Sequence, residues 1–203
     1  MATQVAVVGA GPGGYPAAFH AADLGLDVVL VDKTANPGGV CLYCGCIPSK
    51  AILHAADSIQ TAKEAEPLGI AFGPPTIDLE KLRSWKQSVV DKLTGGLGGL
   101  TRQRGITYLQ GTARFADSRT LVVAGEDGSE TKVVCERAII ATGSVPVRPG
   151  FLPDSPRIMN STNALMLADI PARMLVMGGG YIGLELGQAY AVLGSQAGIG
   201  VTS

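Results

Sequence analysis

Residues 4–32 read QVAVVGAGPGGYPAAFHAADLGLDVVLVD. An apolar run ends in a glycine cluster, a helix-like segment follows, and Gly25 separates that segment from a second apolar run, DVVLVD. Short apolar runs between turn signals are typical of buried strands, and strands that alternate with helices favour a parallel sheet. The stretch therefore predicts a βαβ unit, and with it an α/β protein.

The glycines of this stretch form a G-x-G-x-x-G motif at Gly9, Gly11 and Gly14. The first permits a tight turn, the second lets the backbone approach a pyrophosphate, and the third allows close packing of helix and strand. The helix that follows presents unpaired N–H groups to an anion. Asp32 ends the second strand eighteen residues after Gly14, where a dinucleotide site has an acid for the ribose hydroxyls. We predict a Rossmann-like dinucleotide-binding unit.

A second copy of the pattern occupies residues 173–201, RMLVMGGGYIGLELGQAYAVLGSQAGIGV. Its motif is Gly178, Gly180 and Gly183, and a closing glycine follows eleven residues later, as in the first copy. The position equivalent to the acid is Val201, and the final residues GIGVTS do not form a strong strand pattern. The sequence therefore predicts a second nucleotide-binding unit that has only begun.

Connecting structure is predicted between the two copies. We expect a helix over 47–65, a second amphipathic helix over 78–97 that its glycines break, and short strands from 106 to 143 with an Asp-Gly turn at 127–128. The stretch 145–171 contains five prolines and is typical of a linker. The predicted domains are 1–150 for the first nucleotide-binding domain, 151–170 for the linker and 171–203 for the truncated second domain.

Composition and charge restrict the function classes. The chain has 203 residues, of which 46% are hydrophobic and 16% charged, with a formal net charge of −1. This balance disfavours nucleic acid and acidic membrane surfaces as partners. The N-terminus, MATQVAVVGAG, lacks the basic region of a signal peptide, and no uninterrupted apolar stretch predicts a membrane span. We expect a cytoplasmic protein, in which a catalytic disulfide is more plausible than a structural one.

Three cysteines stand close together in residues 38–50, GGVCLYCGCIPSK. Cys44 and Cys46 are too close in the chain for an unstrained bridge. Cys41 forms a C-x-x-C with Cys44 and encloses a four-residue loop with Cys46, and the spacing does not choose between these two pairs. A metal site needs about four ligands. The cluster has no obvious fourth ligand, so we predict no metal.

This segment resembles the redox-active segment of the flavin-dependent pyridine-nucleotide disulfide oxidoreductases, G-G-[TV]-C-x-x-x-G-C-[IV]-P-[SK]-K. The stretches WKQSVVDKLTGGLGGL (85–100) and MGGGYIGLELGQAYAVLGSQ (177–196) extend the resemblance over nearly all of 1–196. Within the family, the chain looks most like the members that oxidise protein-bound dihydrolipoamide. The resemblance implies FAD and NAD as cofactors. It also implies a Rossmann-like FAD-binding domain with a small β-meander, followed by the start of an NAD-binding domain.

The resemblance assigns roles to the reactive side chains. It implies that Cys41 pairs with Cys46, that Cys46 is the sulfur nearest the flavin and forms the charge-transfer thiolate, and that Cys41 exchanges with the substrate. Lys50 is expected near the reactive flavin nitrogen, paired with Glu185. Cys44 occupies a position where the family usually has another residue, so we interpret it as an odd thiol.

The resemblance also implies contacts with the cofactors. Asp32 would hold the AMP ribose of FAD, Ala113 would touch the adenine side, and Tyr181 would cover the nicotinamide face of the flavin and gate NADH. The full implied set is Gly9, Gly11, Pro12, Gly13, Gly14, Asp32, Lys33, Gly38, Gly39, Val40, Cys41, Lys50, Ala113, Ala141, Thr142, Gly143, Gly178, Gly179, Gly180, Tyr181, Ile182 and Gly183.

The activity that the resemblance implies belongs to a longer parent protein. That parent would be a homodimer that oxidises the lipoyl domains of 2-oxo acid dehydrogenase or glycine cleavage complexes. The family takes the substrate proton with a His-Glu pair from a C-terminal domain, so we interpret His54 and His20 as helix-surface residues and the chain as an N-terminal fragment. Two alternatives are a sister reductase of the glutathione or mercuric type and a non-catalytic flavin-binding fragment. The choice of NAD over NADP is not fixed, since Val201 is neither an acid nor an arginine.

Overall fold

Helices and strands alternate along the computed structural model, which describes residues 1–200. A 3₁₀ turn at Glu66–Leu68 follows the third helix. In chain order the elements are β1 (Ala2–Val8), α1 (Gly14–Asp23), β2 (Val28–Asp32), α2 (Gly39–Cys44), α3 (Cys46–Glu64), α4 (Leu79–Gln103), β3 (Thr107–Gln110), β4 (Thr112–Phe115), β5 (Thr120–Ala124), β6 (Glu130–Ile140), α5 (Ser161–Leu165), β7 (Arg173–Met177), α6 (Tyr181–Leu193) and β8 (Gln196–Gly200).

These elements form two compact units, each assembled from two separate stretches of chain. The first unit consists of Met1–Tyr43 and Asp91–Val145. The second consists of Cys44–Val90 and the chain from Pro146 onward. The domain boundaries inferred from the sequence, 1–150, 151–170 and 171–203, stay a prediction.

The first unit is built on a six-stranded sheet with the order β3-β2-β1-β6-β5-β4. β1 pairs in parallel with β2 and β6, and β2 pairs in parallel with β3. β4, β5 and β6 form an antiparallel meander, in which β5 and β6 are joined through Gly128 with φ +80°. The long β6 pairs with β5 through its first half and with β1 through its second half. The predicted Rossmann-like domain with a small meander is confirmed.

Both faces of the central strands are buried, which explains their continuous apolar sequence. Alternate side chains point to opposite faces of a strand. On one face Val5, Val7, Val28 and Leu30 pack with Ala18 and Ala21 of α1. On the other face Ala6, Val29 and Val31 pack with Leu121, Val123 and Val133 of the meander. Cys135 belongs to this second cluster and is 2% exposed, as expected of a packing residue.

The second unit has its own core around α6. Leu186, Ala189, Tyr190 and Leu193 of α6 pack against Ile52 of α3 and the buried residues of α5. The phenol of Tyr190 is fully buried and donates a hydrogen bond to the carbonyl of Ala164, 2.8 Å away. A two-stranded parallel sheet of β7 and β8 completes this unit.

The helix over 78–97 was expected to break at its glycines, and this expectation is wrong. α4 runs through all four glycines between Gly95 and Gly99 and ends only at Gln103. One of them, Gly98, has a tertiary reason. A Cβ there would lie 2.0 Å from Oδ1 of Asn36, so the glycine lets the loop after β2 approach the helix. Packing of this kind outweighs the low helix propensity of glycine, about 1 kcal/mol per residue.

The final residues were not expected to form a strand, and this expectation is also wrong for the described part. Gln196–Gly200 form β8, which pairs in parallel with β7 from Gln196 opposite Arg173 to Gly200 opposite Met177. The hydrogen bonds of a neighbouring strand compensate for the two glycines in this segment. Val201, the position of the missing acid, lies outside the described residues.

One helical run passes the length and hydropathy test for a membrane span. It covers Gly39–Leu68. An 18-residue segment of this run has a mean hydropathy of 1.2, and 33% of that segment is buried. The run is interrupted at Gly45, whose φ of −141° and ψ of −117° are not helical. A core helix of a soluble protein passes the same test, so the match is weak support for a membrane location. The expected lack of a membrane partner stays a prediction.

Candidate functional site

The glycine motif of the first unit forms a cradle of closely packed backbone. Gly9 has a φ of +97°, and a Cβ on it would lie 2.2 Å from the carbonyl oxygen of Ala141. A Cβ on Gly14 would lie 1.7 Å from the carbonyl oxygen of Gly9. Any larger residue at either position would push this backbone apart. The turn from β1 to α1 therefore requires glycine at both positions.

The first turn of α1 faces this cradle without a side-chain cap. Gly13 is the N-cap residue and supplies no side-chain hydrogen bond, and Pro12 and Gly13 are exposed. Pro16 lies in the first turn, where its missing N–H costs nothing. Uncapped N–H groups at a helix N-terminus bind phosphate oxygens. The end of α1 is thus suited to a pyrophosphate.

The start of α2 packs against the same cradle. The N–H of Gly38 donates to the carbonyl of Ala10 over 2.8 Å. Gly39 has a φ of +56°, and a Cβ on it would lie 2.5 Å from the Cα of Gly11. The glycine pair before Cys41 therefore has a definite use, since it lets the cysteine helix begin directly beside the G-x-G-x-x-G turn.

Asp32 lies at the end of β2 and points its carboxylate at the cradle. Its Oδ2 accepts a hydrogen bond of 2.6 Å from the N–H of Ala10. Its Oδ1 accepts bonds of 3.0 Å from the N–H and from the hydroxyl of Thr34. A carboxylate offers about four acceptor sites. One site on Oδ2 thus remains for a ribose hydroxyl, and the residues present fit the adenosine diphosphate half of a dinucleotide.

The second glycine motif repeats the geometry of the first within the second unit. Gly178 has a φ of +102°, and a Cβ on Gly183 would lie 2.5 Å from its carbonyl oxygen. The N–H of Gly178 donates to the carbonyl of Gly200 over 2.9 Å, as Gly9 does to Val31 over 2.8 Å. Gly180 caps α6 without a side-chain bond, and Tyr181 is 75% exposed beside it. The sequence repeat is therefore also a structural repeat.

Lys50 and Glu185 form an ion pair within the second unit, between α3 and α6. Their side chains are 59% and 32% exposed. Ser49 is buried beside them, and its hydroxyl lies 3.0 Å from the carbonyl of Cys46 and 3.5 Å from Oε2 of Glu185. The hydroxyl and the cation thus follow Cys46 within about one turn of α3, and the counter-ion comes from α6. Their catalytic roles stay a prediction.

The three cysteines of the cluster lie on two consecutive helices that Gly45 separates. Cys41 and Cys44 belong to α2, and Cys46 begins α3 after Gly45. Cys46 is exposed, whereas Cys41 and Cys44 are half-buried. No disulfide joins any cysteine among residues 1–200. The pairing of Cys41 with Cys46 and the interpretation of Cys44 as an odd thiol therefore stay predictions.

The remaining predicted contact residues are spread over both units. In the first unit, Lys33 and Val40 are exposed, as are Thr142 and Gly143 after the end of β6. Ala113 of β4 packs against the core of the meander. In the second, Gly179 and Ile182 are exposed at the start of α6. His54 is exposed on α3 with its ring centroid 6.1 Å from that of Trp85. Cofactor contacts of these residues stay predictions.

Sequence reasoning missed three polar residues that hydrogen-bond within their units, two in the first unit and one in the second. Thr34 is bonded to Asp32, Tyr43 is bonded to the loop after β2, and Ser49 lies beside Glu185. Only Thr34 had a local signal, because an aspartate commonly hydrogen-bonds the backbone two residues later in an Asx turn. The other two contacts depend on tertiary packing.

The fold and these sites define a class of protein. Residues 3–200 match the family model described as pyridine nucleotide-disulphide oxidoreductase, and the chain belongs to this family. It is 53% identical over 195 residues to the dihydrolipoyl dehydrogenase of Haemophilus influenzae, 48% identical to that of Vibrio parahaemolyticus and 47% identical to that of Bacillus subtilis. The alignments cover 95% to 96% of this chain and 41% of each relative. The chain thus spans about two fifths of the length of the relatives it matches.

Proposed function

We propose that the chain is the FAD-binding and disulfide-bearing part of a dihydrolipoamide dehydrogenase, which oxidises protein-bound dihydrolipoamide with NAD. The observation that carries this proposal is the ion pair of Lys50 with Glu185, one helical turn after Cys46 on α3. The proposal is supported by a paired cation four residues after Cys46 of a C-x-x-x-G-C-I-P-S-K segment, in a chain that shares about half its residues with dihydrolipoyl dehydrogenases.

Cys41 and Cys46 are the proposed reactants in the first half of the reaction. One substrate thiolate attacks the Cys41 sulfur of the Cys41–Cys46 disulfide, which forms a mixed disulfide and releases Cys46 as a thiolate. The second substrate thiol displaces Cys41 and closes the lipoamide disulfide. The substrate loses two electrons and two protons: the cysteine pair gains the electrons, Cys41 takes one proton, and the solvent takes the other because Cys46 remains a thiolate. Cys46 opens a nineteen-residue helix, whose dipole favours an anion there.

The other proposed site residues bind cofactor and hold charge. FAD, when bound, would supply two-electron redox chemistry between the cysteine pair and NAD. The turn from Gly9 to Gly14 would hold its pyrophosphate, and Asp32 its ribose, as the free acceptor site on Oδ2 allows. Lys50, fixed by Glu185, would stabilise negative charge at the electron-transfer site. Gly178–Gly183 would hold the NAD pyrophosphate.

Partners and location are proposed for the whole protein. We infer that it forms a homodimer in the cytoplasm and acts on lipoyl domains of 2-oxo acid dehydrogenase or glycine cleavage complexes. Support comes from the relatives, which are dihydrolipoyl dehydrogenases.

The test is a spectrum of the purified 203-residue chain with FAD, before and after reduction by dihydrolipoamide. Stoichiometric FAD binding and a long-wavelength band on two-electron reduction are expected if the first unit and the cysteines are assigned correctly. Cys46→Ser should remove the band, and Cys44→Ser should keep it. A band that survives in Cys46→Ser would contradict the assignment of the sulfur nearest the flavin.

Substrate class needs a second assay with the full-length protein. We expect NAD-dependent oxidation of dihydrolipoamide that exceeds the reverse-direction reduction of glutathione disulfide or Hg(II) by at least a hundredfold. Faster reduction of either alternative substrate would replace the proposal with a sister reductase. A chain that binds FAD but shows no thiol-dependent reduction would instead be a flavin-binding fragment.

A further inference from the structure

The cysteine helix α2 is too short to be stable by itself. It contains six residues, whereas isolated helices need about twelve to fifteen to form in water. Its position must therefore depend on contacts with the rest of the first unit. At its N-terminal end these contacts are Gly38 with Ala10 and Gly39 with Gly11.

The C-terminal end of α2 is held by Tyr43 within the same unit. The Tyr43 hydroxyl donates to the carbonyl of Asn36 over 3.0 Å and accepts from the N–H of Asn36 over 3.3 Å. The ring of Tyr43 lies against Gly38, where a Cβ would be 3.2 Å from its Cε2 atom. One side chain thus ties the end of the helix to the loop that precedes it.

Asn36 is in turn tied to the dinucleotide cradle. The Thr34 hydroxyl lies 2.9 Å from the Asn36 carbonyl and 3.0 Å from Oδ1 of Asp32, and its single proton is shared between the two acceptors. The carbonyl of Thr34 accepts a 2.7 Å bond from the Tyr108 hydroxyl. A continuous hydrogen-bonded path therefore connects Asp32 to Tyr43, through Thr34 and Asn36.

We propose that Tyr43 is a positioning residue for Cys41. Its hydroxyl fixes the end of α2 to the loop after Asp32 and so holds Cys41, two residues earlier on the helix, at a set place relative to the cradle. The catalytic importance of Cys41 rests on the proposed function. The effect of Tyr43 on the position of α2 is independent of that function. The test therefore measures the chemistry of the thiol without any turnover.

The variant Tyr43→Phe removes the hydroxyl and keeps the ring. Tyr15→Phe is the matched control, because Tyr15 lies in the same unit, packs against Phe19 and has no side-chain hydrogen bond within residues 1–200. The reduced full chain is treated with iodoacetamide, and the alkylation rate of each cysteine is followed by mass spectrometry. Cys135, buried in β6, serves as an internal reference for opening of the whole unit.

We expect Tyr43→Phe to raise the alkylation rate of Cys41 about fivefold, the factor that corresponds to loss of about 1 kcal/mol of hydrogen bonding. The rate of Cys135 should stay unchanged, and Tyr15→Phe should change neither rate. Hydrogen exchange of the Asn36 amide should accelerate in Tyr43→Phe alone, because that amide loses its acceptor. An unchanged Cys41 rate would overturn the proposal. Equal increases at Cys41 and Cys135 would also overturn it, since Tyr43 would then stabilise the whole unit.

A failure of the proposed function is a separate result. If the full-length protein oxidises no dihydrolipoamide while Tyr43→Phe still changes Cys41 selectively, the positioning role stands and the activity does not. If turnover is observed and Cys41 is unaffected by the variant, only the positioning role is wrong.

Discussion

Lys50 on α3 and Glu185 on α6 form an ion pair, although 135 positions separate them in the chain. Both side chains are partly exposed, and ion pairs of this kind contribute only about 0–1 kcal/mol to stability. We propose that the pair serves chemistry rather than folding, because it holds one positive charge a helical turn after Cys46 on α3.

Glu185→Gln tests this explanation. The variant should change the free energy of unfolding by less than about 1 kcal/mol, because the pair is exposed. It should lower the turnover of the full-length protein by about ten- to a hundredfold, because Lys50 loses the partner that orients it. Glu130→Gln is the matched control, as it breaks a similarly exposed pair with Arg114 in the meander. Equal turnover in both variants would contradict a role for Glu185.

Ser49→Ala tests the hydroxyl beside this pair. Ser49 is buried, and its Oγ lies within hydrogen-bond distance of both the Cys46 carbonyl and Glu185. We expect a loss of about 1 kcal/mol in unfolding free energy and a several-fold fall in turnover. Ser49→Thr keeps the hydroxyl and should recover most of the turnover. If Thr recovers none of it, the hydroxyl is not the cause.

Gly14→Ala should destabilise the first unit by about 2–4 kcal/mol. The new Cβ would lie 1.7 Å from the carbonyl oxygen of Gly9, so the turn from β1 to α1 must move. Gly99→Ala is the control, since it lies inside α4 with no atom within 4 Å of its Cβ position. It should stabilise the protein by up to about 1 kcal/mol. Denaturant unfolding of both variants measures the difference, and similar midpoints would refute the steric argument.

Asp32→Asn should weaken both the fold and FAD binding. The carboxylate accepts three hydrogen bonds, and the amide that replaces one oxygen can only donate. We expect a loss of about 1–3 kcal/mol in unfolding free energy without cofactor, and at least a tenfold higher Kd for FAD by fluorescence titration. Wild-type affinity in the variant would mean that the ribose does not bind Asp32.

Stability should fall in alkaline solution because of two phenols, of which Tyr190 is buried and Tyr108 half-buried. Burial raises the pKa values of Tyr108 and Tyr190 above their ordinary value of 10.0. For Tyr190 the negative charge of Asp169 is a second, smaller cause of the rise. The folded state then holds these protons more tightly, so the free energy of unfolding falls as pH rises above 10. Burial and, to a smaller extent, the positive charge of Arg83 lower the pKa of Lys86 from its ordinary value of 10.5. This group alone makes the free energy of unfolding rise with pH, and its contribution stops changing above about pH 10.5.

Tyr190→Phe isolates one of these contributions. Above pH 10.5 its unfolding free energy should fall less steeply than that of the wild type, by up to about 1.4 kcal/mol per pH unit. Denaturant titrations at several pH values between 10.5 and 12 measure the slopes. Equal slopes for the variant and the wild type would mean that the Tyr190 phenol has the same pKa in the folded and unfolded states.

The two glycine motifs show what local sequence can predict. The run from Gln4 to Asp32 predicted β1, α1, β2 and the acid at the end of β2, since each rests on periodicity, glycine conformation or motif spacing. The helix over 47–65 was predicted for the same reason and is observed as α3. Local signals fail where packing decides, as at α4, which continues through its glycines, and at β8, which forms because β7 pairs with it.

The class of fold, the glycine cradle and the chemical character of the cysteine segment follow from the amino-acid sequence alone, because these depend on residue type and spacing within a few turns of chain. The contacts between distant polar side chains follow only from tertiary packing. Glu185 meets Lys50, Tyr43 meets Asn36, and Ser49 lies beside Glu185. No spacing rule encodes these contacts, since each depends on how loops and helices pack within its unit.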